Sequence, residues 1–333
     1  MTQADSKVLP SPPSLVKTLL AGFDVISNHI ELILFCIALD GILWLGPQIR
    51  LSIIIQSFID WISQNPDLQA PEMAELMGSN REALALIAER LNLLTILRTF
   101  PVGIPSLMIG RTPLENPFGV AAVWQITSSL FAIVLFILLI LLGIYLGTLY
   151  FSAVSQAALQ GKIKWLDLFK RSPGHYVQVV TLSLLWLGVL FAASIPLGCV
   201  LPIALLSGSG IANFILVGYG ILLIWVLLPL IFAPHGIFVN HSSMWESVLN
   251  SIRLTRYTLP STGLFILAII LLSQGMDLLW NFTENTSWLT AIGLIGHAFV
   301  TTSLLAASFI YYRDANNWLQ RMLQITKLSS MKA

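Results

Sequence analysis

The chain has 333 residues, of which 56% are hydrophobic and only 10% are charged. Soluble domains carry about 25% charged residues, so this shortfall indicates that most of the surface faces lipid. The 17 Lys and Arg balance the 16 Asp and Glu, and the lack of a basic excess argues against a nucleic-acid partner.

The two cysteines, Cys36 and Cys199, lie in separate apolar segments. Two cysteines exclude a disulfide framework, and neither has the spacing of a metal ligand. We interpret both as small hydrophobic residues.

The first membrane span is predicted at about 26–45, after a Pro-rich cytoplasmic tail at 1–13. Asp40 lies within this span. The Leu, Ile and Phe residues between Ile30 and Leu45 favour insertion by about 3–6 kcal/mol, which outweighs the cost of about 2.5–3.5 kcal/mol for one central Asp.

Residues 46–118 are predicted to form a helical insertion outside the cytoplasm. Apolar and polar residues alternate over 49–62 in a pattern typical of a helix that lies on the membrane surface. Ser79 and Glu82 form a capping box that opens a helix of about 80–98. Four prolines between 101 and 117 then indicate an irregular segment.

Five further spans are predicted at about 121–151, 177–200, 212–234, 260–280 and 289–312. No Lys, Arg, Asp or Glu occurs between Arg171 and Glu246, and the turn at 207–210 divides that stretch into two spans. Gly143 and Gly147 form a GxxxG pattern, which lets two helix backbones approach closely.

Orientation follows from the basic residues of the short segments, which lie in the N-terminal region, the loops near 162–171 and 253–256, and the C-terminal tail at 314–333 with Arg313 just before it. The insertion at 46–118 carries five Arg, but long loops translocate with little regard to charge. Six spans with both termini in the cytoplasm place all of these short segments inside. We therefore predict an all-α polytopic membrane helix bundle, N-in and C-in, with amphipathic interfacial helices. The predicted location is the inner (plasma) membrane of a bacterium, or the thylakoid membrane of a cyanobacterium.

A weak internal repeat places Trp165 and Trp245 in similar short helices, 80 residues apart, each leading into a span. The second helix begins with a capping box of Ser243 and Glu246. Its apolar face, Trp245, Val248, Leu249 and Ile252, is expected at the inner leaflet. Four basic residues are expected to contact lipid phosphates there: Arg253, Arg256, Lys170 and Arg171.

Ionisable residues within spans are functional candidates. A polar cluster of Asp40, Gln274, Asp277 and His297 in the outer half would relay protons or bind a cation. The alternative is structural: Asp40 and Asp277 reach water near the interface, and His297 makes one hydrogen bond.

His235, His241 and Glu246 lie near each other at the cytoplasmic end of the span predicted at 212–234, and His175 lies on the adjacent loop. Their spacing matches no helix face that would hold a metal. We predict loop histidines near headgroups, no metal site, no cofactor and no catalytic residue.

Two features carry a resemblance: Gly22-Phe23-Asp24 through Leu43-Trp44-Leu45-Gly46-Pro47, and the helix from Trp245 to Arg256 between two spans. On these the chain resembles a scattered set of bacterial six-span proteins. Its second half is loosely similar to the membrane domain that accompanies some glycerophosphodiester phosphodiesterases. The resemblance implies a membrane module and carries over no active-site residue, because that family's catalytic residues belong to a separate soluble domain.

Three functions remain open. The leading prediction is a non-catalytic membrane scaffold, partner subunit or assembly module that contacts the bilayer and a membrane-protein partner or a second copy. The first alternative is a small-molecule or ion transporter that uses the interface between the two repeats. The second alternative, a lipid-acting membrane enzyme, has the least support because no nucleophile, base or metal set is visible.

Overall fold

The computed structural model describes residues 12–64, 88–111, 113–206 and 210–330. The chain is an all-α polytopic helix bundle, as predicted. Within the described residues, five helices are long and apolar enough to cross a membrane, and a bent pair near the N-terminus is a sixth candidate.

Nine helices of the described part of the chain are used below, in chain order: α1 Leu15–Asn28, α2 Leu34–Leu45, α3 Ser52–Gln64, α4 Ser129–Gln160, α5 Trp165–Leu206, α6 Ile211–Leu227, α7 Ala233–Val239, α8 Met244–Trp280 and α9 Thr290–Ser330. Four short strands accompany them: β1 Gln48–Arg50, β2 Glu115–Asn116, β3 Gly119–Val120 and β4 Val123–Gln125. Strand β1 pairs in parallel with β4, and β2 pairs antiparallel with β3.

The predicted span at 26–45 is not one continuous helix. Helix α1 ends at Asn28, a 3₁₀ turn occupies Ile30–Ile33, and α2 departs at 92°. Gly22 allows α1 to lie directly on α9, since a Cβ there would stand 2.4 Å from the carbonyl oxygen of Ser303. At its far end α2 reaches the α8–α9 connection, where the indole of Trp44 donates to the carbonyl of Asn285 at 2.7 Å.

The other predicted spans also differ from the observed helices at their ends. Helix α4 starts at Ser129 rather than near 121 because the intervening residues include β4, and Ser128 caps it by accepting from the amide of Phe131. The span predicted at 212–234 is interrupted by a 3₁₀ turn at Leu228–Leu230 that contains Pro229, before α7 begins.

The predicted interfacial helix and the span at 260–280 form one kinked helix, α8. Both hydrogen bonds of the Ser243–Glu246 capping box are present at its start, which confirms that prediction. The kink falls at Thr258, two residues before Pro260, whose missing N–H interrupts the helical ladder. The repeat partner, α5, is likewise continuous from Trp165.

Helix α9 lies at the centre of the bundle, and the α5–α6 hairpin lies at its periphery. In the most apolar window of α9, 72% of the residues are buried, against 6% in those of α5 and of α6. The exposed residues of the hairpin are mainly Leu, Ile, Val and Phe, as expected for helices that face lipid.

Segment 93–108, which is part of the predicted insertion at 46–118, packs against the helix bundle, and the extracytoplasmic location of the insertion stays a prediction. Leu93, Val102 and Met108 are each no more than 1% exposed and belong to the same core as α2 and α4. The run of Leu and Ile forms a 3₁₀ helix at Leu93–Leu97, and the Pro-rich residues 98–106 that follow are not helical. The capping box predicted at Ser79 and Glu82 lies outside the described residues.

Gly143 and Gly147 do permit a close backbone approach, but the partner is this segment rather than a second helix. A Cβ on Gly143 would lie 2.5 Å from the carbonyl oxygen of Leu97, and one on Gly147 would lie 2.9 Å from that of Val102. Since helices rise 1.5 Å per residue, Gly143 is about 21 Å from the start of α4. Residues 97–103 therefore reach the middle of the helix bundle.

Candidate functional site: a polar cavity in the middle of the bundle

A cavity of about 380 Å³ lies between α8, α9, the turn before α7, and segment 98–106. Along α9 its lining runs from His297 to Ser308, about 16 Å of helix. Its polar lining includes Arg98, Ser106, Gln274, Asp277, His297 and Ser308. An apolar core would exclude such groups, so the cavity is the place in the bundle where polar chemistry concentrates.

Asp277 and His297 form the shortest polar pair of the cavity. The Nδ1 atom of His297 donates to Oδ1 of Asp277 at 2.6 Å, and their side chains are 5% and 22% exposed, respectively. Because the carboxylate can only accept, Nδ1 of His297 carries the hydrogen of this bond. Nε2 is buried and has no hydrogen-bond partner among the described residues.

Gln274 lies one turn before Asp277 on α8 and lines the same cavity. Residues three apart on a helix share one face, so Gln274 and Asp277 both reach the cavity. The structure thus brings three of the four residues of the predicted cluster to one cavity.

Asp40 reaches the cavity indirectly. Its carboxylate is fully buried and accepts from the hydroxyl of Ser106 at 2.5 Å and from the amides of Leu107 and Met108 at 3.1 Å. Ser106 itself lines the cavity. Asp40 therefore positions the non-helical segment that forms one cavity wall, a role that its place in the sequence does not reveal.

His235 is a cavity residue that the sequence analysis placed elsewhere, near the cytoplasmic end of its span. Its Nε2 lies 2.8 Å from the hydroxyl of Ser308, and Nδ1 is buried without a partner among the described residues. The neighbouring Pro229 and Pro234, which interrupt the helix and turn this segment inward, are the sequence signal for its position.

Arg98 is the second residue that the sequence analysis missed. Arg98 is an exposed residue that lines the cavity, and within the described chain its guanidinium forms no hydrogen bond or ion pair. A lone Arg between the apolar run ending at Leu97 and Pro101 was the available signal. The sequence pattern instead places Arg98 in the insertion predicted outside the cytoplasm.

A second polar group lies where α5 begins and α7 ends. Arg171 Nη1 donates to Nε2 of His241 at 3.0 Å, which leaves the hydrogen of that ring on Nδ1. His241 then donates to Nε2 of His175 at 3.1 Å, and His175 donates to Ser152 at 3.4 Å. The always-charged guanidinium thus orients both rings as neutral imidazoles.

His241 has a left-handed backbone, with φ 51°, at the turn between α7 and α8. Burial lowers the pKa of His241, and the charge of Arg171 lowers it further. Glu246 does not join this group, because its carboxylate caps α8. Among the described residues no set of three or more His, Cys, Asp or Glu is arranged to hold a metal ion.

The four basic residues predicted at lipid phosphates, Lys170, Arg171, Arg253 and Arg256, are all exposed. On α8 the outward residues Trp245, Leu249 and Ile252 are 64%, 62% and 40% exposed. Val248 departs from the predicted face, because it is buried against the bundle. Contact of these basic residues with lipid stays a prediction.

Comparison of the chain with protein-family models, curated proteins and solved structures finds no match. The resemblance to membrane domains that accompany phosphodiesterases therefore stays a prediction.

Proposed function

We propose that this multi-pass membrane protein is a transporter or channel-like protein that binds a small polar solute or ion in its central cavity. The observation that carries the proposal is the combination of a polar cavity with a non-helical segment at mid-depth. A cavity of this kind supports the transporter alternative over a passive scaffold.

Non-helical backbone at membrane depth is tolerated only where it is buried in protein or lines a water-filled cavity. Segment 98–106 meets that condition through Ser106 and Arg98, both of which line the cavity. The wall formed by Ile231 and His235 also follows a helix interruption, the 3₁₀ turn at Leu228–Leu230. Transporters commonly build midplane binding sites from such discontinuous helices.

The proposed site differs from the repeat interface suggested by the sequence. The cavity is lined by α8, α9, segment 98–106 and the region around His235, whereas none of the described side chains of α5 lines it. Of the two repeated helices, only α8 therefore contributes to the proposed site. The bacterial inner membrane and a cytoplasmic position of both termini are parts of the same proposal.

Cysteine labelling tests it. In a background of Cys36→Ala and Cys199→Ala, Ser273→Cys places a thiol on the cavity wall, and Ile270→Cys places a matched thiol on the outside of α8, where Ile270 is 51% exposed. A charged, membrane-impermeant thiosulfonate is then added from each side of sealed vesicles.

A transporter predicts that the Ser273→Cys variant is labelled from both sides and that the Ile270→Cys variant is not labelled, because only the cavity admits water. Failure of the Ser273→Cys variant to react from either side would show that the cavity is sealed and would overturn the proposal.

A second candidate, the partner subunit, is favoured by the α5–α6 hairpin. These helices bury very little surface in their own chain, although the hydroxyls of Ser194 and Tyr219 join them at 2.7 Å. A membrane partner or a second copy would cover this surface. Purification in mild detergent, followed by mass spectrometry of co-purifying protein, tests that candidate.

A further inference from the structure

The central cavity adjoins an apolar groove, and Arg98 lines both. The groove has a volume of about 420 Å³ and lies between α4, α5 and residues 96–100. Its walls include Ile140 and Ile144 from α4 and Val180, Leu184 and Leu187 from α5. Because Leu184 and Leu187 are 62% and 64% exposed, the groove is open along the lipid-facing side of α5.

Arg98 therefore sits on a boundary between polar and apolar surfaces at mid-depth. A guanidinium is always charged, and placing it at the bilayer centre is costly unless it is paired or hydrated. The charge needs an anionic or aqueous neighbour at this position.

The chain's own carboxylates nearby are already engaged. Asp277 accepts from His297, and Asp40 accepts from Ser106 and two backbone amides. Within the described chain the guanidinium of Arg98 has no hydrogen-bond or ion-pair partner. The guanidinium of Arg98 is therefore available to bind an acidic group of a ligand.

We propose that the substrate of the cavity is an anionic amphiphile. Its carboxylate or phosphate head binds Arg98 at the edge of the polar cavity, and its hydrocarbon tail lies in the groove between α4 and α5. This inference rests on the proposed function, for which it names the substrate class. It explains why a cationic side chain joins a polar cavity to a groove that is open to lipid.

Native mass spectrometry of the full chain in detergent tests the proposal with three probes that share an oleoyl chain. Oleate carries a carboxylate, dioleoylphosphatidate carries a phosphate, and oleyl alcohol carries no charge. We expect one tightly bound acid per chain and at least tenfold weaker binding of the alcohol. Whether oleate or phosphatidate binds more tightly distinguishes a fatty acid from a phospholipid.

Two variants locate the head and the tail. Arg98→Gln should weaken binding of the acids by about 10–100-fold, the loss expected for a charge-assisted contact, and bring it to the level of the alcohol. Leu184→Trp fills the groove and should weaken all three probes. Arg90→Gln, on an exposed residue of the same region, is the matched control and should bind as wild type does.

Wild-type affinity in Arg98→Gln, or equal binding of oleate and oleyl alcohol, would overturn the proposal, provided that each variant elutes as a folded monodisperse protein. The two ideas fail separately. If the Ser273→Cys variant is labelled from both sides but the protein binds no acid, the transport proposal stands and the proposed substrate class is wrong. If acid binding depends on Arg98 but the thiosulfonate does not reach the cavity, the chain has a lipid-binding site and the transport proposal is wrong.

Discussion

Asp40 shows how one buried charge organises a segment far away in the sequence. A carboxylate inside a membrane bundle is costly unless it is fully hydrogen bonded. Here three donors from residues 106–108 satisfy it. The same three bonds fix the cavity wall, so the charge stabilises the native structure through its partners.

Asp40→Ala should therefore destabilise the protein strongly, because it leaves two buried amides and a hydroxyl without an acceptor. We expect a loss of about 2–4 kcal/mol, measured as a lowered thermal unfolding midpoint in detergent. Asp24→Ala, at an exposed position of α1, should change the midpoint little. Equal effects of the two substitutions would contradict the anchoring role.

The lowered pKa of His241 makes the stability of the folded protein depend on pH. Its pKa is lowered in the folded protein, first by burial and then by Arg171, so the unfolded chain takes up a proton at higher pH than the folded one. The contribution of His241 to stability is present above about pH 6.5, the usual pKa of histidine, and is lost as the pH falls toward the lower folded value.

The comparison is wild type with His241→Asn, since Asn tolerates the left-handed backbone at this position. The charged and titratable neighbours, Arg171, His175 and Lys170, remain in both proteins. We expect the unfolding midpoint of wild type to fall more between pH 7 and pH 5 than that of the variant. Parallel pH profiles would show that His241 is not a source of the dependence.

At the scale of elements, the packing of segment 97–103 on α4 is the main departure from a simple helix bundle. Gly143→Ala should clash, because the new Cβ would lie 2.5 Å from a carbonyl oxygen and 2.8 Å from Thr99 Cγ2. The expected loss is about 1–3 kcal/mol, measured as a lowered unfolding midpoint in detergent. Gly188→Ala on α5, where a Cβ would meet nothing within 4 Å, is the matched control and should be neutral or slightly stabilising.

The all-α class, the order of the spans and the capping box at Ser243 could be predicted from the sequence, because each depends on local residues only. A membrane span, in particular, needs a certain length and hydropathy whatever its neighbours are. Gln274, Asp277 and His297 could be grouped for a similar reason: two helices joined by a short connection must align. Arg98, Ser106 and His235 could not, since their positions depend on how irregular segments fold back. The sequence pattern of a Pro-rich segment does not distinguish an external loop from a segment packed within a helix bundle.

For the molecule as a whole, the distribution of burial separates two parts. Helix α9 is enclosed by α1, α2, α4 and α8, and the cavity lies against it, whereas the α5–α6 hairpin faces outward. Between these parts lies the groove that opens beside Arg98. A solute with one polar and one apolar end would meet both surfaces at once.

Cross-linking measures whether residues 98–106 pack against α4 and α5 in the middle of the bundle. The ring of Phe100 contacts that of Trp186 on α5, with centroids 4.8 Å apart. Phe100→Cys with Trp186→Cys, in the background without native cysteines, should form a rapid intramolecular cross-link with a short bifunctional thiol reagent, and Phe100→Cys with Trp225→Cys on α6 should not. Absence of the first cross-link, together with labelling of the Phe100→Cys thiol by an impermeant reagent at the membrane surface, would contradict the account.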